Sequence, residues 1–328
     1  MLQMNRRARC LPILVLALWG SAALAQTPPS SLTEPTMPAS DLFGYDSTLP
    51  LAPTEQTLET TATYKAYSVS YYSTHDLQIP AVLVIPVKST GKEPAILLMH
   101  GLGGDKMGLK FLWSQLAAAG FVTLAIDAEY HGDRKPREPL TLFGREVYTT
   151  RDLLAQTVID LRRGIDYLQS RPEVDPDRIG YIGFSMGGIL GAILCGVDSR
   201  VKAPVLALAG GDWKVLFAGT TLPNAQPLKQ LPPDQIAAAE RVMDPVDPIH
   251  WIARIAPRPV LFVNGDADTI VPVPAAKELQ AAARQPKESF WYKGGHVPIG
   301  TEALRVGQKI LAWIDRNLKG GAAAAAAQ

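Results

Sequence analysis

The stretch Arg178-Ile179-Gly180-Tyr181-Ile182-Gly183-Phe184-Ser185-Met186-Gly187-Gly188-Ile189-Leu190-Gly191 decides how the rest of the chain is read. Its first half is apolar and partly β-branched, which predicts a short buried strand. Its second half is small and aliphatic, fit to start a helix. Between them, Gly183 to Gly187 spells G-x-S-x-G. At a strand-to-helix corner this pattern is a nucleophile elbow. The turn is so tight that side chains two residues either side of the serine would clash, and glycine at both flanks removes the clash. The Ser185 hydroxyl is then held above the sheet, at the positive end of the following helix. We therefore read Ser185 as a nucleophile rather than as part of a plain βα turn.

Outward from that corner, apolar runs alternate with helical patterns. Tyr64 to Tyr72 alternates as a first strand, and Leu77 to Val87 follows antiparallel to it, with Pro80 suggesting an edge position. Ala95 to Met99, Phe121 to Ile126, Val201 to Leu208 and Pro259 to Asn264 are continuous apolar runs, as expected of buried parallel strands, with a short last strand at Phe290 to Lys293. Helices are expected at Leu109 to Ala119, Thr150 to Ser170, Pro272 to Arg284 and Glu302 to Asn317. Such alternation predicts an α/β fold with a mostly parallel central sheet covered on both faces. Active groups gather at the carboxyl ends of its strands. The segment 211–257 is polar, Pro-rich and irregular in pattern, and is expected to be inserted as a cap. Its scattered Trp213, Phe217, Met243 and Trp251 are candidate substrate contacts; anchors to the core are the plainer alternative, and the pocket is then sought at Leu102 and the 127–146 loop.

A serine needs a base, and the base an orienting acid. Of five histidines, His296 sits in Lys293-Gly294-Gly295-His296-Val297, a tight loop after the last strand, and is the candidate base. Asp266 and Asp268 both lie in the loop that follows Asn264 and both are candidates for the acid.

The order serine, aspartate, histidine resembles α/β-hydrolases from about residue 60 to 318. The chain is most similar to secreted esterases of the dienelactone hydrolase and acetyl xylan esterase-like groups. Their acid stands in G-x-x-D-x-x-V-P, matched by Gly265, Asp268, Val271 and Pro272, so the resemblance selects Asp268 and leaves Asp266 to cap the loop. It also makes His100-Gly101-Leu102-Gly103-Gly104 the oxyanion loop, with the backbone N–H groups of Leu102 and Met186 as donors and His100 as a buttress. Asp127 to Arg134 resembles a family loop with D-x-x-x-H-G; His131 and Asp133 are read as a salt-bridged scaffold, with substrate contact as the alternative. His250 is left without an assigned role. Dienelactone hydrolases proper use cysteine as the nucleophile, whereas this chain has Ser185, so their lactone substrate does not carry over.

The 328 residues are 19% charged and 47% hydrophobic, enough for one large core. A net charge of +1 gives no footprint for nucleic acid. No His pair at helical spacing suggests a metal, and Gly101-x-Gly103 lacks the third glycine of a dinucleotide site, so no cofactor is expected. Residues 1–25 read as a bacterial signal peptide: basic Arg6, Arg7 and Arg9, apolar Leu11 to Trp19, and Ala23-Leu24-Ala25 for cleavage. The apolar run is shorter than the about 20 residues that span a bilayer. Export to the periplasm or beyond is expected, with one cysteine, Cys195, in the mature chain. Residues 26–55 read as a flexible leader, 56–318 as the hydrolase domain and 319–328 as a low-complexity tail. The expected activity is hydrolysis of small-molecule or saccharide esters. The alternatives are a serine peptidase resembling the prolyl oligopeptidase catalytic domain, whose propeller the chain has no room for, and a non-catalytic binding protein on the same fold.

Overall fold

Strands buried on both faces must be apolar at every position, and the strand β4 (Glu93–Met99) shows where its two faces go. Ala95, Leu97 and Met99 enter one core and Ile96 and Leu98 the other. In this computed structural model, which describes residues 39–89, 91–137 and 142–320, the same division runs along the sheet. On the first face pack α2 (Val147–Ser170), α3 (Met186–Val197) and α7 (Val273–Ala282), through residues such as Leu161, Ile193 and Leu279. On the second pack α1 (Lys110–Ala118) and α8 (Gly300–Leu318). The buried positions of α8, Val306, Ile310, Trp313 and Ile314, form one stripe at helical spacing.

The other strands are β1 (Thr54–Thr60), β2 (Tyr64–Tyr72), β3 (Gln78–Pro86), β5 (Val122–Ile126), β6 (Val174–Phe184), β7 (Val201–Ala207), β8 (Val260–Gly265) and β9 (Lys287–Tyr292). Their order across the sheet is β1-β2-β3-β5-β4-β6-β7-β8-β9. The pairs from β5 through β9 are parallel; β1, β2 and β3 are antiparallel additions. The parallel strands all end at the same edge of the sheet, and the suspected motifs all follow such ends.

Four sequence expectations are corrected. β1 precedes the expected first strand: it is almost wholly exposed, so no apolar alternation marks it. Its glutamates suit an outermost strand, where charge discourages pairing with other chains. Second, β3 is internal, pairing with β2 and β5, so Pro80 is not on an edge. Proline is tolerated because it stands where the ladder to β5 begins. Its carbonyl accepts from the Asp127 N–H at 3.1 Å, and the Asp127 carbonyl accepts instead from Arg134 at 3.2 Å.

Third, the later part of the presumed leader is packed on the body. Phe43 is fully buried, with its ring edge-on to Trp251 at 5.0 Å, and its carbonyl accepts from Arg162 at 2.6 Å. Tyr45 donates to Asp166 at 2.9 Å. A Pro/Ser/Thr-rich average conceals two aromatic anchors, Phe43 and Tyr45. Residues 1–38 and 321–328, and with them the expected signal peptide and alanine tail, lie outside the described residues.

Fourth, the segment between β7 and β8 is mostly helical rather than irregular. It holds α4 (Trp213–Gly219), a 3-10 turn at Pro223–Gln230, α5 (Pro233–Met243) and α6 (Ile249–Ile252). Pro223 and Pro233 open their helices, where the missing N–H leaves no bond unmade. Among the described residues, no helix is long and apolar enough to cross a membrane.

Candidate active site

Ser185 stands between β6 and α3 with φ 56° and ψ −116°, in a region that costs a non-glycine residue about 1–3 kcal/mol. Its N–H donates to Ala207 O at 2.8 Å, and its carbonyl takes the Ile189 N–H at 2.9 Å, which starts the helix. The flanking glycines are there for space. A Cβ on Gly183 would lie 2.3 Å from the Gly187 carbonyl oxygen, and one on Gly187 2.5 Å from that of Met99. Tyr181 locks the turn from below by donating to Gly187 O at 2.5 Å.

The loops after β8 and β9 bring the acid and the base to this serine. His296 Nε2 lies 2.9 Å from Ser185 Oγ, and its Nδ1 lies 2.7 Å from Asp268 Oδ2. The other carboxylate oxygen of Asp268 accepts the N–H groups of Ile270 and Val271 at 2.9 and 3.0 Å. Both oxygens are therefore engaged and the buried carboxylate cannot turn away. With Nδ1 donating to Asp268, Nε2 carries the lone pair that faces the serine hydroxyl. Asp266 serves the neighbouring loop instead, accepting from Gly294 N–H at 2.9 Å. Tyr292 donates to the carbonyls of Gly295 and His296, each at 2.8 Å, and so fixes the loop that carries the base.

The glycine-rich turn after β4 closes on the serine from the other side; a Cβ on Gly101 would lie 3.2 Å from that of Ser185. His100 Nδ1 donates to Gly101 O at 2.8 Å, and its Nε2 accepts from Ala128 N–H at 3.1 Å. Gly104 N–H holds the same carbonyl at 3.0 Å. In a trans peptide the carbonyl and the next N–H point oppositely, so pinning Gly101 O also fixes the direction of the Leu102 N–H. Neither the Leu102 nor the Met186 N–H donates to any other group among the described residues. Burial lowers the pKa of His100 to about 4, and that of His131, 5.1 Å away, likewise to about 4. Both are neutral and structural.

The loop 127–134 is built on ion pairs. Fully buried Asp127 accepts from the backbone N–H and the ammonium of Lys106, at 2.8 and 2.7 Å, and from Asp133 N–H at 2.9 Å. The exposed carboxylate of Asp133 meets Lys106 Nζ at 2.6 Å. His131 donates to Glu129 O at 2.8 Å. None of these side chains lines the cavity at the serine.

That cavity, about 50 Å³, is lined by apolar groups including Leu102, Phe143, Met186, Trp213, Phe217 and Val271. Phe143 stands 6.0 Å from the Trp213 ring and 6.3 Å from that of Phe217, which itself stacks on Trp213 at 5.6 Å. Both sources that the sequence offers for the pocket contribute to it: Leu102 and the 127–146 loop from one side, the cap segment from the other. Two candidates do not reach it. Met243 lines a second pocket farther into the cap segment. Trp251 is fully buried against Phe43, donates to Pro245 O at 3.1 Å and lies under Arg254, so it anchors the segment to the core. His250 pairs with Asp244 at the surface at 2.9 Å. Sequence reading passed over Ile270 and Val271, although Val271 belongs to the motif that selects Asp268. Among the described residues no cluster of His, Cys, Asp or Glu is arranged to hold a metal ion.

A serine on a strained strand-to-helix corner, faced by an aspartate-supported histidine at the carboxyl edge of this sheet, defines an α/β hydrolase. The chain belongs to the dienelactone hydrolase family, whose model matches residues 79–294. It is 29% identical over 216 residues to a putative hydrolase, YtaP, of Bacillus subtilis, spanning 61% of this chain and 69% of that one. Its fold is similar to an acetyl xylan esterase from Paenibacillus sp. R4, with TM-score 0.70 and 22% identity, covering 84% of this chain and 92% of that structure. Acetyl xylan esterase 1 from Thermoanaerobacterium sp. is similar too, with TM-score 0.67 and 20% identity, covering 84% and 90%.

Proposed function

We propose that the protein is an exported serine esterase that cleaves carboxylic esters through an acyl-enzyme on Ser185. The observation that carries this reading is the unbroken hydrogen-bonded series from Asp268 through His296 to Ser185 Oγ, at 2.7 and 2.9 Å. His296 Nε2 takes the hydroxyl proton as Oγ attacks the ester carbonyl. Asp268 stabilises the imidazolium that forms, and the same nitrogen then gives its proton to the leaving alcohol. Water, deprotonated in turn by His296, attacks the acyl-enzyme and releases the acid. The Leu102 and Met186 N–H groups receive the negative charge on the carbonyl oxygen, each lowering the barrier by about 3 kcal/mol.

Serine rather than cysteine is the nucleophile. Cys195 is fully buried in α3 and its thiol is pushed up to about 12 by burial. Ester is favoured over peptide because the cavity at Ser185 is apolar, with no carboxylate among its described lining residues to meet a peptide amine. Small-molecule and saccharide esters are the substrate classes, the second because acetyl xylan esterases share the fold. Export rests on the sequence from Arg6 to Ala25.

Turnover of p-nitrophenyl acetate against an aminoacyl p-nitroanilide by purified protein, beside Ser185→Ala, tests the reaction. We expect the ester to be cleaved and the variant to be inactive; more than a tenth of the wild-type kcat remaining in the variant would rule out the serine mechanism. N-terminal mass analysis of exported protein tests cleavage after Ala25.

A further inference from the structure

The cap segment contains a second pocket, of about 400 Å³, against about 50 Å³ for the cavity at Ser185. The larger volume lies in the range of sites that enclose small molecules. Val147, Leu228, Leu231, Ile236 and Met243 make its lining mainly apolar. Of its charged lining residues, Lys229 directs its ammonium at Thr220 O, 2.6 Å away. An apolar hollow of this size, sharing Trp213 and Phe217 with the cavity at Ser185, is of the kind that marks a ligand site.

Trp213 and Phe217 line both pockets, so the partition between them is the stacked pair of rings. Its two halves are held differently. Trp213 is buried, and its backbone N–H donates to Asp247 Oδ2 at 2.8 Å while that of Asp212 donates to Oδ1 at 3.0 Å. Phe217, one turn later in α4, is only partly buried. Trp213 is thus the buried half of the partition and Phe217 the half that is partly exposed.

We propose that the larger pocket receives the far end of a medium-length aliphatic acyl chain whose ester carbon lies at Ser185, with Phe217 as the gate between the two chambers. The small chamber alone takes a short acyl group; with Phe217 turned aside, the chain continues into the cap segment. This assignment rests on the esterase reading and names its substrate class as esters with apolar acyl chains.

Two substitutions pull in opposite directions. Phe217→Ala opens the partition, and Ala239→Trp, at a half-exposed position on α5, fills the far chamber. We expect the ratio of kcat/KM for p-nitrophenyl decanoate to that for the acetate to rise about tenfold or more in the first and fall about tenfold or more in the second. Ratios within twofold of wild type in both variants would overturn the assignment. Calorimetry of decanoate with Ser185→Ala and with Ser185→Ala/Ala239→Trp reads the pocket without turnover. We expect at least tenfold weaker binding in the double variant; no binding to either, or equal binding to both, also overturns it. Should no ester be hydrolysed while decanoate binds in an Ala239-dependent way, the esterase reading falls and takes the acyl-ester assignment with it, leaving a pocket for an apolar chain; should esters be hydrolysed with unchanged ratios, the assignment alone falls.

Discussion

Asp266 and Asp268 stand two residues apart in one loop and serve different partners: Asp266 holds the Gly294 N–H and Asp268 holds the His296 ring. Asparagine at 268 would present the wrong partner to Nδ1 and favour the wrong tautomer. Asp268→Asn is expected to lower kcat by about 10³- to 10⁴-fold. Asparagine at 266 keeps an oxygen for Gly294, and Asp266→Asn is expected to stay within about tenfold of wild type. Steady-state kinetics on the two variants decides; the reverse order would mean that the other carboxylate orients the base.

The elbow separates chemistry from folding. A Cβ at Gly183 runs into the backbone oxygen of Gly187 at 2.3 Å, and backbone there cannot move without dislodging the start of α3. Gly183→Ala is expected to cost about 3 kcal/mol or more, or to prevent folding. Ser185→Ala removes only a hydroxyl and should melt within a few degrees of wild type. Thermal unfolding of both tests this; comparable melting temperatures would show that the turn has slack that the close contacts deny.

Acid should weaken the fold through the neutral histidine pair. Burial lowers His100 and His131 from the ordinary 6.5 to about 4. Between those values the unfolded chain binds more protons than the folded one, so stability is complete above 6.5 and falls as pH drops toward 4. The loss is up to about 3 kcal/mol for one such group. Urea midpoints at pH 7 and pH 5 should show the fall, and His131→Asn, which keeps a donor for Glu129 O, should show less of it. An equal fall in the variant would place the acid sensitivity elsewhere.

Phe43 should matter for stability and not for selectivity. Phe43→Ala empties a fully buried site against Trp251, which is expected to cost about 3–5 kcal/mol. The ratios of kcat/KM across an acyl series should not change, because neither ring lines the cavity at Ser185. Unfolding in denaturant and the acyl series measure the two halves. A stability change under 1 kcal/mol would return this stretch to the status of a loose leader.

The parts of the molecule that sequence disclosed are those where chemistry forces a residue type. Gly183 and Gly187 have no substitute around Ser185. The parallel strands must be apolar throughout, and Asp268 and His296 stand just past strand ends. What stayed hidden lacked such force. β1 buries almost nothing, so its pairing to β2 leaves no apolar period. Pro80 looks like an edge residue because the Arg134 guanidinium that serves the Asp127 carbonyl comes from a distant loop. Trp213 and Trp251 are the same residue type 38 positions apart in one segment, yet one walls the cavity and the other is core. Only their neighbours, Phe217 and Phe143 in one case and Phe43 in the other, tell them apart, and apart from Phe217, one turn along α4, these partners stand too far off in sequence to leave a pattern.

The chain leaves the sheet at the end of β7 and returns at β8, and these two strands are adjacent and parallel. Whatever is spliced between them begins and ends at fixed points on the scaffold. Lengthening such an excursion adds little closure cost, since the penalty grows only with the logarithm of its length. No strand pairing depends on the excursion, and Ser185, His296 and Asp268 all lie outside it. Part of the apolar wall at Ser185, the Trp213 and Phe217 rings, thus rides on the excursion, while Leu102, Phe143 and Val271 stay with the scaffold. A graft that keeps Trp251 against Phe43 and the Thr220 and Thr221 bonds to the acid loop would rebuild one wall of the cavity and leave the other in place.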